Sequence, residues 1–106
     1  MDYSQLSDFE INSAVSMALL DKSANPSARY VAIGNYCNNP ADAWPIIVDN
    51  EISLNSYSGT WEASYEYDAP IGAFGTDELV TKAVEGKNPL RTAMIAFLMK
   101  REHSNA

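Results

Sequence analysis

Gly86-Lys87-Asn88-Pro89-Leu90-Arg91-Thr92-Ala93-Met94-Ile95-Ala96-Phe97-Leu98-Met99-Lys100-Arg101 is a helix with its start signals written out. Asn88 suits the N-cap, because its side-chain oxygen can accept from an orphan backbone N–H. Pro89 takes the first helical position, where its missing N–H costs nothing. Lys100 and Arg101 fall in the last turn, where cations complement the negative end of the dipole. Nearly every residue between them is apolar, so the pattern predicts a helix buried on most of its surface. Arg91 and Lys87 are the exceptions, and they flank the end of the helix that attracts anions.

Two more helices announce themselves upstream. Ser7-Asp8-Phe9-Glu10 fits a capping box, with Ser7 as cap and Glu10 reaching back. Ile11, Ala14, Val15, Ala18 and Leu19 then share one helical face, which predicts a helix from Asp8 to Leu20. Asn39-Pro40-Ala41-Asp42 repeats the cap-plus-proline start. Pro45 lies inside that second helix, where it removes one backbone bond and crowds the preceding turn. The helix therefore either kinks there, or a second segment begins at Pro45 and runs through Val48.

Strands read from alternation. Ile52 and Leu54 alternate with Ser53 and Asn55, and Trp61, Ala63, Tyr65 and Tyr67 alternate with Glu62, Ser64 and Glu66. Ser58-Gly59 serves as a two-residue turn. Counting from that turn sets residue 57 opposite 60, Leu54 opposite Ala63 and Ile52 opposite Tyr65, all apolar residues falling on one face. Glu51 opposite Glu66 is unfavourable, so pairing frays there. Arg29-Tyr30-Val31-Ala32-Ile33 reads as a further short strand. Asp68 to Gly75 reads as a loop, and Thr76 caps a short helix with Leu79, Val80, Ala83 and Val84 on one face, closed by Gly86. The fold class is α+β, with helices packed on a small antiparallel sheet containing a 51–57/60–67 hairpin.

The 106 residues make a single domain, 46% hydrophobic and 20% charged, which is globular composition. No apolar run reaches the roughly 18 residues of a membrane span, and the acidic N-terminus lacks the pattern of a signal peptide. With Cys37 as the sole cysteine no internal disulfide forms, and a reducing cytoplasm is the expected compartment. The net charge is −7, and between Arg29 and Lys82 there is no Lys or Arg. Polymeric nucleic acid is thereby an unfavourable partner, because its binding depends on cations meeting phosphates. The same acidic window suits either simple solubility or contact with a basic partner.

Catalytic chemistry has few candidates. Glu62 and Glu66 lie roughly 13 Å apart along a strand, beyond glycosidase separations. His103, the lone histidine, falls in a tail expected to fray, and Cys37 reads as a small buried residue. No nucleophile triad, metal set, cofactor motif or Gly-rich nucleotide fingerprint is present, so no enzyme, metal or cofactor is expected. What remains is binding. A phosphate could rest on Arg91, Lys87 and the N–H groups after Asn88. Trp61, Tyr65 or Phe74 could stack a base for roughly 1–3 kcal/mol, with Trp61 best placed beside the turn. Against this, Arg91 could lie on an exposed stripe and the aromatics, Trp44 and Tyr67 included, could be hairpin core.

Met1-Asp2-Tyr3-Ser4-Gln5-Leu6-Ser7-Asp8-Phe9-Glu10-Ile11-Asn12, Tyr36-Cys37-Asn38-Asn39-Pro40-Ala41-Asp42-Ala43-Trp44-Pro45-Ile46-Ile47-Val48 and Lys87-Asn88-Pro89-Leu90-Arg91-Thr92-Ala93-Met94-Ile95-Ala96-Phe97-Leu98-Met99 together resemble the NinX-like family of small phage and prophage proteins. Residues 66–86 match least well. The resemblance implies a phage accessory protein acting in the cytoplasm of the infected bacterium, and carries no activity with it. In the order of its elements the chain is also similar to phage α/β/α sandwich proteins, and more distantly to anti-Thoeris sponges that sequester nucleotide signals of host immunity. That likeness implies Arg91 on phosphate and Trp61 or Tyr65 on the base. The resulting expectation is a non-enzymatic, homo-oligomeric protein that sequesters a small nucleotide-like signal. The alternative is an acidic interaction protein, or DNA mimic, that inhibits a basic host protein.

Overall fold

A computed structural model describes residues 2–21, 33–70 and 77–104. After a 3-10 turn at Tyr3–Gln5 come α1 (Asp8–Asp21), α2 (Pro40–Asp49), β1 (Ser53–Tyr57), β2 (Thr60–Pro70), β3 (Asp77–Gly86) and α3 (Pro89–Ser104). The strands form one antiparallel sheet in the order β1-β2-β3, so the chain is α+β. α3 is the element that touches every layer. It packs on β2 and β3 and meets both α1 and α2. Thr92, Ala93, Met94, Ala96, Phe97 and Leu98 are all buried, which is why this helix is apolar on more than one face.

The helix starts form through local chemistry. The Ser7 N–H donates to Glu10 Oε1, and the Glu10 N–H donates to Ser7 Oγ, both at 3.1 Å. This is the reciprocal capping box. Asn39 Oδ1 accepts from the Ala41 N–H at 3.0 Å. α2 continues through Pro45 without a second segment. The proline and Ala41, whose carbonyl it cannot bond, are both exposed, so water can serve that carbonyl.

α2 ends in a Schellman motif. The Glu51 N–H donates to the Val48 carbonyl and the Ile52 N–H to the Ile47 carbonyl, while Ile52 is buried. Glu51 occupies the left-handed position, with φ 52°, where glycine is the usual residue. Pairing with β2 therefore begins at Ser53, and the expected fraying at Glu51 has a backbone cause rather than an electrostatic one. The hairpin register is Tyr57↔Thr60, Ser56↔Trp61 and Leu54↔Ala63, as counted from the turn. Ser58 and Gly59 both have positive φ, 53° and 76°, which suits the twist of the strands they join.

The expected short helix around Leu79–Val84 is instead β3, paired with β2 from Asp77 to Gly86. β2 runs to Pro70, well past the end of β1, and its spare length supplies the backbone partners. The positions 79, 80, 83 and 84 fit a helical face, but β-branched Val80, Thr81 and Val84 satisfy a strand equally well. Gly86 closes the strand, not a helix. A Cβ there would lie 2.4 Å from Thr92 Oγ1, so the tight passage into α3 requires glycine. The expected strand at 29–33 lies outside the described residues except for Ile33, which belongs to no element, and Thr76 also lies outside them.

The strain at Glu51 makes a direct prediction. A non-glycine residue in the left-handed region costs roughly 1–2 kcal/mol. Glu51→Gly is expected to raise stability by about 1 kcal/mol, read as a higher urea midpoint with unchanged slope.

Candidate functional site

The start of α3 is a closed polar junction. Asn88 Oδ1 accepts from the Leu90 and Arg91 N–H groups at 2.9 and 3.2 Å, capping the helix as its sequence predicts. Its Nδ2 donates to the Cys37 carbonyl at 2.8 Å and to Asn38 Oδ1 at 3.2 Å. Asn38 Nδ2 in turn donates to Asp8 Oδ2. Arg91 closes the circuit. One guanidinium nitrogen donates to Asp8 Oδ1 at 2.7 Å, and the other donates to the carbonyls of Leu6 at 2.6 Å and Ser4 at 3.3 Å. The Arg91 side chain is 21% exposed, so it lies neither on a solvent stripe nor open at the helix pole.

Buried polar atoms behind this circuit are also matched. Asn12, inside α1, accepts from the Cys37 N–H at 3.0 Å. Burial pushes the Cys37 thiol up to about 11, so it is a packed thiol with little thiolate at neutral pH. The Asp8 carboxyl is held below its ordinary value, first by the Asn38 amide and then by the Arg91 guanidinium. At the far end of α3, the Tyr3 hydroxyl donates to Glu102, so residues 3–8 run alongside α3 and are held at both ends. The residues expected to hold a phosphate thus have internal partners, with Lys87 the exposed member of the set.

The stacking aromatics also disperse. Tyr65 is 1% exposed and its ring belongs to the core, which corrects its expected place at an open surface. Alternation turns it toward α3, where burial is greatest. Its hydroxyl has no partner among the described residues. Trp61 is half-buried beside the turn, and Trp44 is exposed on α2. Phe74 lies outside the described residues. His103 does not fray. It lies within α3 and stacks on Tyr67, with centroids 3.9 Å apart and planes 9° from parallel. Beside this stack is a cleft of about 430 Å³ lined by Glu66, Tyr67, Asp68, Leu79, Lys100 and His103.

The sheet face turned away from α3 has a different character. The register places Asn55, Tyr57, Glu62, Glu66, Asp68, Leu79, Thr81, Ala83 and Glu85 on it. Leu79 is 62% exposed and Tyr57 46%, so this face is open to solvent. It carries four carboxylates and, among its described side chains, no Lys or Arg. Glu62 stands directly opposite Glu85, a pairing that disfavours the sheet. The Tyr57 hydroxyl reaches across both, donating to Glu85 and lying 3.4 Å from Glu62. The hydrogen bond to Glu85 is the first cause that raises this phenol to about 12. Neither Tyr57 nor Glu85 stood out in sequence, because their meeting depends on β3.

A family profile for Bacteriophage P22, NinX matches residues 2–101. The chain belongs to the phage NinX family. No curated protein and no solved structure gives a match. The match extends through β3 and the acidic face, so membership covers the segment whose likeness was weakest in sequence. Among the described residues of this NinX-family protein, no helix is long and apolar enough to cross a membrane, and no group of three His, Cys, Asp or Glu is arranged to hold a metal ion.

The junction at α3 is testable through stability. Arg91→Ala is expected to cost about 2–3 kcal/mol, since a charge-assisted pair and two carbonyl contacts are lost. Arg91→Lys should recover only part, because an ammonium cannot present a planar fork to three acceptors. Asp8→Asn carries a pH signature. The folded carboxyl lies below its ordinary 3.8, so its contribution is complete above that value and is lost as the pH falls through the folded one. The wild-type advantage over Asp8→Asn should therefore be flat near neutrality and vanish in acid, measured by urea midpoints across the pH range.

Proposed function

We propose that this protein is a non-catalytic phage interaction protein that docks a basic host protein on the open face of its sheet. The carrying observation is the set of Glu62, Glu66, Asp68 and Glu85 on one face that no described element covers, with exposed Leu79 and Tyr57 among them. Carboxylates attract and orient a cationic partner, and the apolar side chains add area that is released from water on contact. Glu62 opposite Glu85 is a like-charge pair that a single Tyr57 proton only partly moderates, and such a pair is relieved by an arginine or lysine from outside. Basic surfaces of this kind are common on proteins that handle nucleic acid, which makes them one partner class that an acidic face can occupy.

A second reading is sequestration of a small nucleotide-like signal. It is supported by the cleft beside Tyr67 and His103, whose volume of about 430 Å³ falls within the usual range for small ligands. Two carboxylates, Glu66 and Asp68, share its lining with Lys100, whose ammonium already donates to the Asn50 carbonyl, so the balance disfavours phosphate, and the donors of Arg91 are engaged elsewhere. Docking of a basic protein is therefore the reading the geometry supports best. Titration calorimetry with cyclic ADP-ribose isomers and cyclic oligonucleotides separates the two, since heat with any of them would favour capture.

The docking reading is tested with a variant that removes charge and keeps shape: Glu62→Gln, Glu66→Gln, Asp68→Asn and Glu85→Gln together. The wild-type protein is expected to retain a basic host protein at low salt and release it as ionic strength rises. The neutral variant should retain none, while unfolding at a higher urea concentration because the 62/85 repulsion is gone, by roughly 0.5 kcal/mol. Equal retention of the same partner by the neutral variant would refute the proposal.

A further inference from the structure

The cleft of about 430 Å³ has two stacked rings in its wall. His103 lies flat on Tyr67, with centroids 3.9 Å apart and planes 9° from parallel. A face that takes imidazole in this way takes other planar heterocycles, because it offers area and a π-surface and no fixed pattern of hydrogen bonds. Tyr67 is half-buried on β2, whereas His103 is exposed in the last turn of α3. An exposed side chain changes rotamer quickly and leaves the backbone in place. The imidazole is therefore the replaceable member of the stack.

Behind the stack is a group with unmet chemistry. The Tyr65 ring lies 6.0 Å, centroid to centroid, from both Tyr67 and His103. Tyr65 is 1% exposed, and its hydroxyl has no hydrogen-bond partner among the described residues. A buried hydroxyl without a partner is costly, so it marks a place that a ligand or an ordered water completes. The imidazole covers Tyr67 without meeting that hydroxyl. A two-ring heterocycle on the same face reaches further and carries acceptors at its edge. The carboxylates of Glu66 and Asp68 share the lining, and they accept from amino groups and repel phosphate.

We infer that this cleft binds an uncharged, amino-bearing purine, as the base or its nucleoside. The purine displaces His103 from Tyr67, an acceptor at its edge takes the Tyr65 hydroxyl, and its amino group donates to Glu66 or Asp68. Those two carboxylates also belong to the docking face. The purine site stands on the ring stack and the buried hydroxyl, so either proposal holds or fails without the other.

The test titrates the purified full chain, with no partner present, with adenosine and guanosine, by calorimetry and proton NMR. His103 is the only histidine in the sequence, so its ring protons report displacement directly. They are expected to move downfield as the ring current of Tyr67 is lost. The monophosphate of adenosine should bind roughly tenfold more weakly than adenosine, through repulsion from the two carboxylates. His103→Ala should tighten binding, since no ring has to leave. Tyr67→Phe should bind like the wild type, and Tyr67→Leu should not bind. Tyr65→Phe should weaken binding about fivefold, the worth of one hydrogen bond, with no loss of stability in urea. Absence of both heat and a His103 shift with either nucleoside overturns the inference. So does a monophosphate that binds as tightly as the nucleoside, a His103→Ala variant that binds more weakly than the wild type, a folded Tyr67→Leu variant that keeps its affinity, or a Tyr65→Phe variant whose affinity is unchanged.

Discussion

The structure depends on how the first turn of α3 is satisfied. A helix buried on several sides cannot leave its initial N–H groups to water, so their partners must come from the protein. Asn88 supplies them with its oxygen and uses its amide to hold the Cys37 carbonyl and Asn38. Arg91, in that same first turn, gathers Asp8 and the carbonyls of Ser4 and Leu6. Two distant segments, 4–8 and 37–38, therefore converge on one helix end. Every contact joins a donor to an acceptor, and the only formal charges are the paired ones on Asp8 and Arg91, which limits the desolvation cost of placing them there. The positive pole of α3, which in isolation would attract a free anion, is occupied by the protein's own side chains.

Features written in neighbouring residues were legible in the sequence, and features that join distant residues were not. The starts of α1, α2 and α3 rest on Ser7 with Glu10, Asn39 with Pro40 and Asn88 with Pro89, all local chemistry. The hairpin register follows from Ser58-Gly59 and alternation. β3 was hidden because Leu79, Val80, Ala83 and Val84 satisfy helical spacing, and only the unused length of β2 decides for a strand. Arg91 carries the same lesson. Its place at a helix start is visible in sequence, but its partner Asp8 comes from the opposite end of the chain. Asp8, Asn12 and Asn38 are ordinary residues until folding brings them to the same junction. His103 is a similar case, since its stack on Tyr67, like the Tyr3 hydroxyl on Glu102, holds the last turn of α3 through a residue distant in sequence.

The two faces of the sheet divide the work. Ala63 and Tyr65 are buried toward α3, and Val84 packs beside them, so the core is complete on one side. No described element packs on the opposite face, and its composition is the more informative for that. A face that served only solubility would do best with mixed charge, which avoids like charges in direct opposition. This one has Glu62 against Glu85 and spans them with the Tyr57 hydroxyl, a contact that uses the proton of a raised phenol to moderate two carboxylates. Local choices that oppose stability concentrate where a surface has another task.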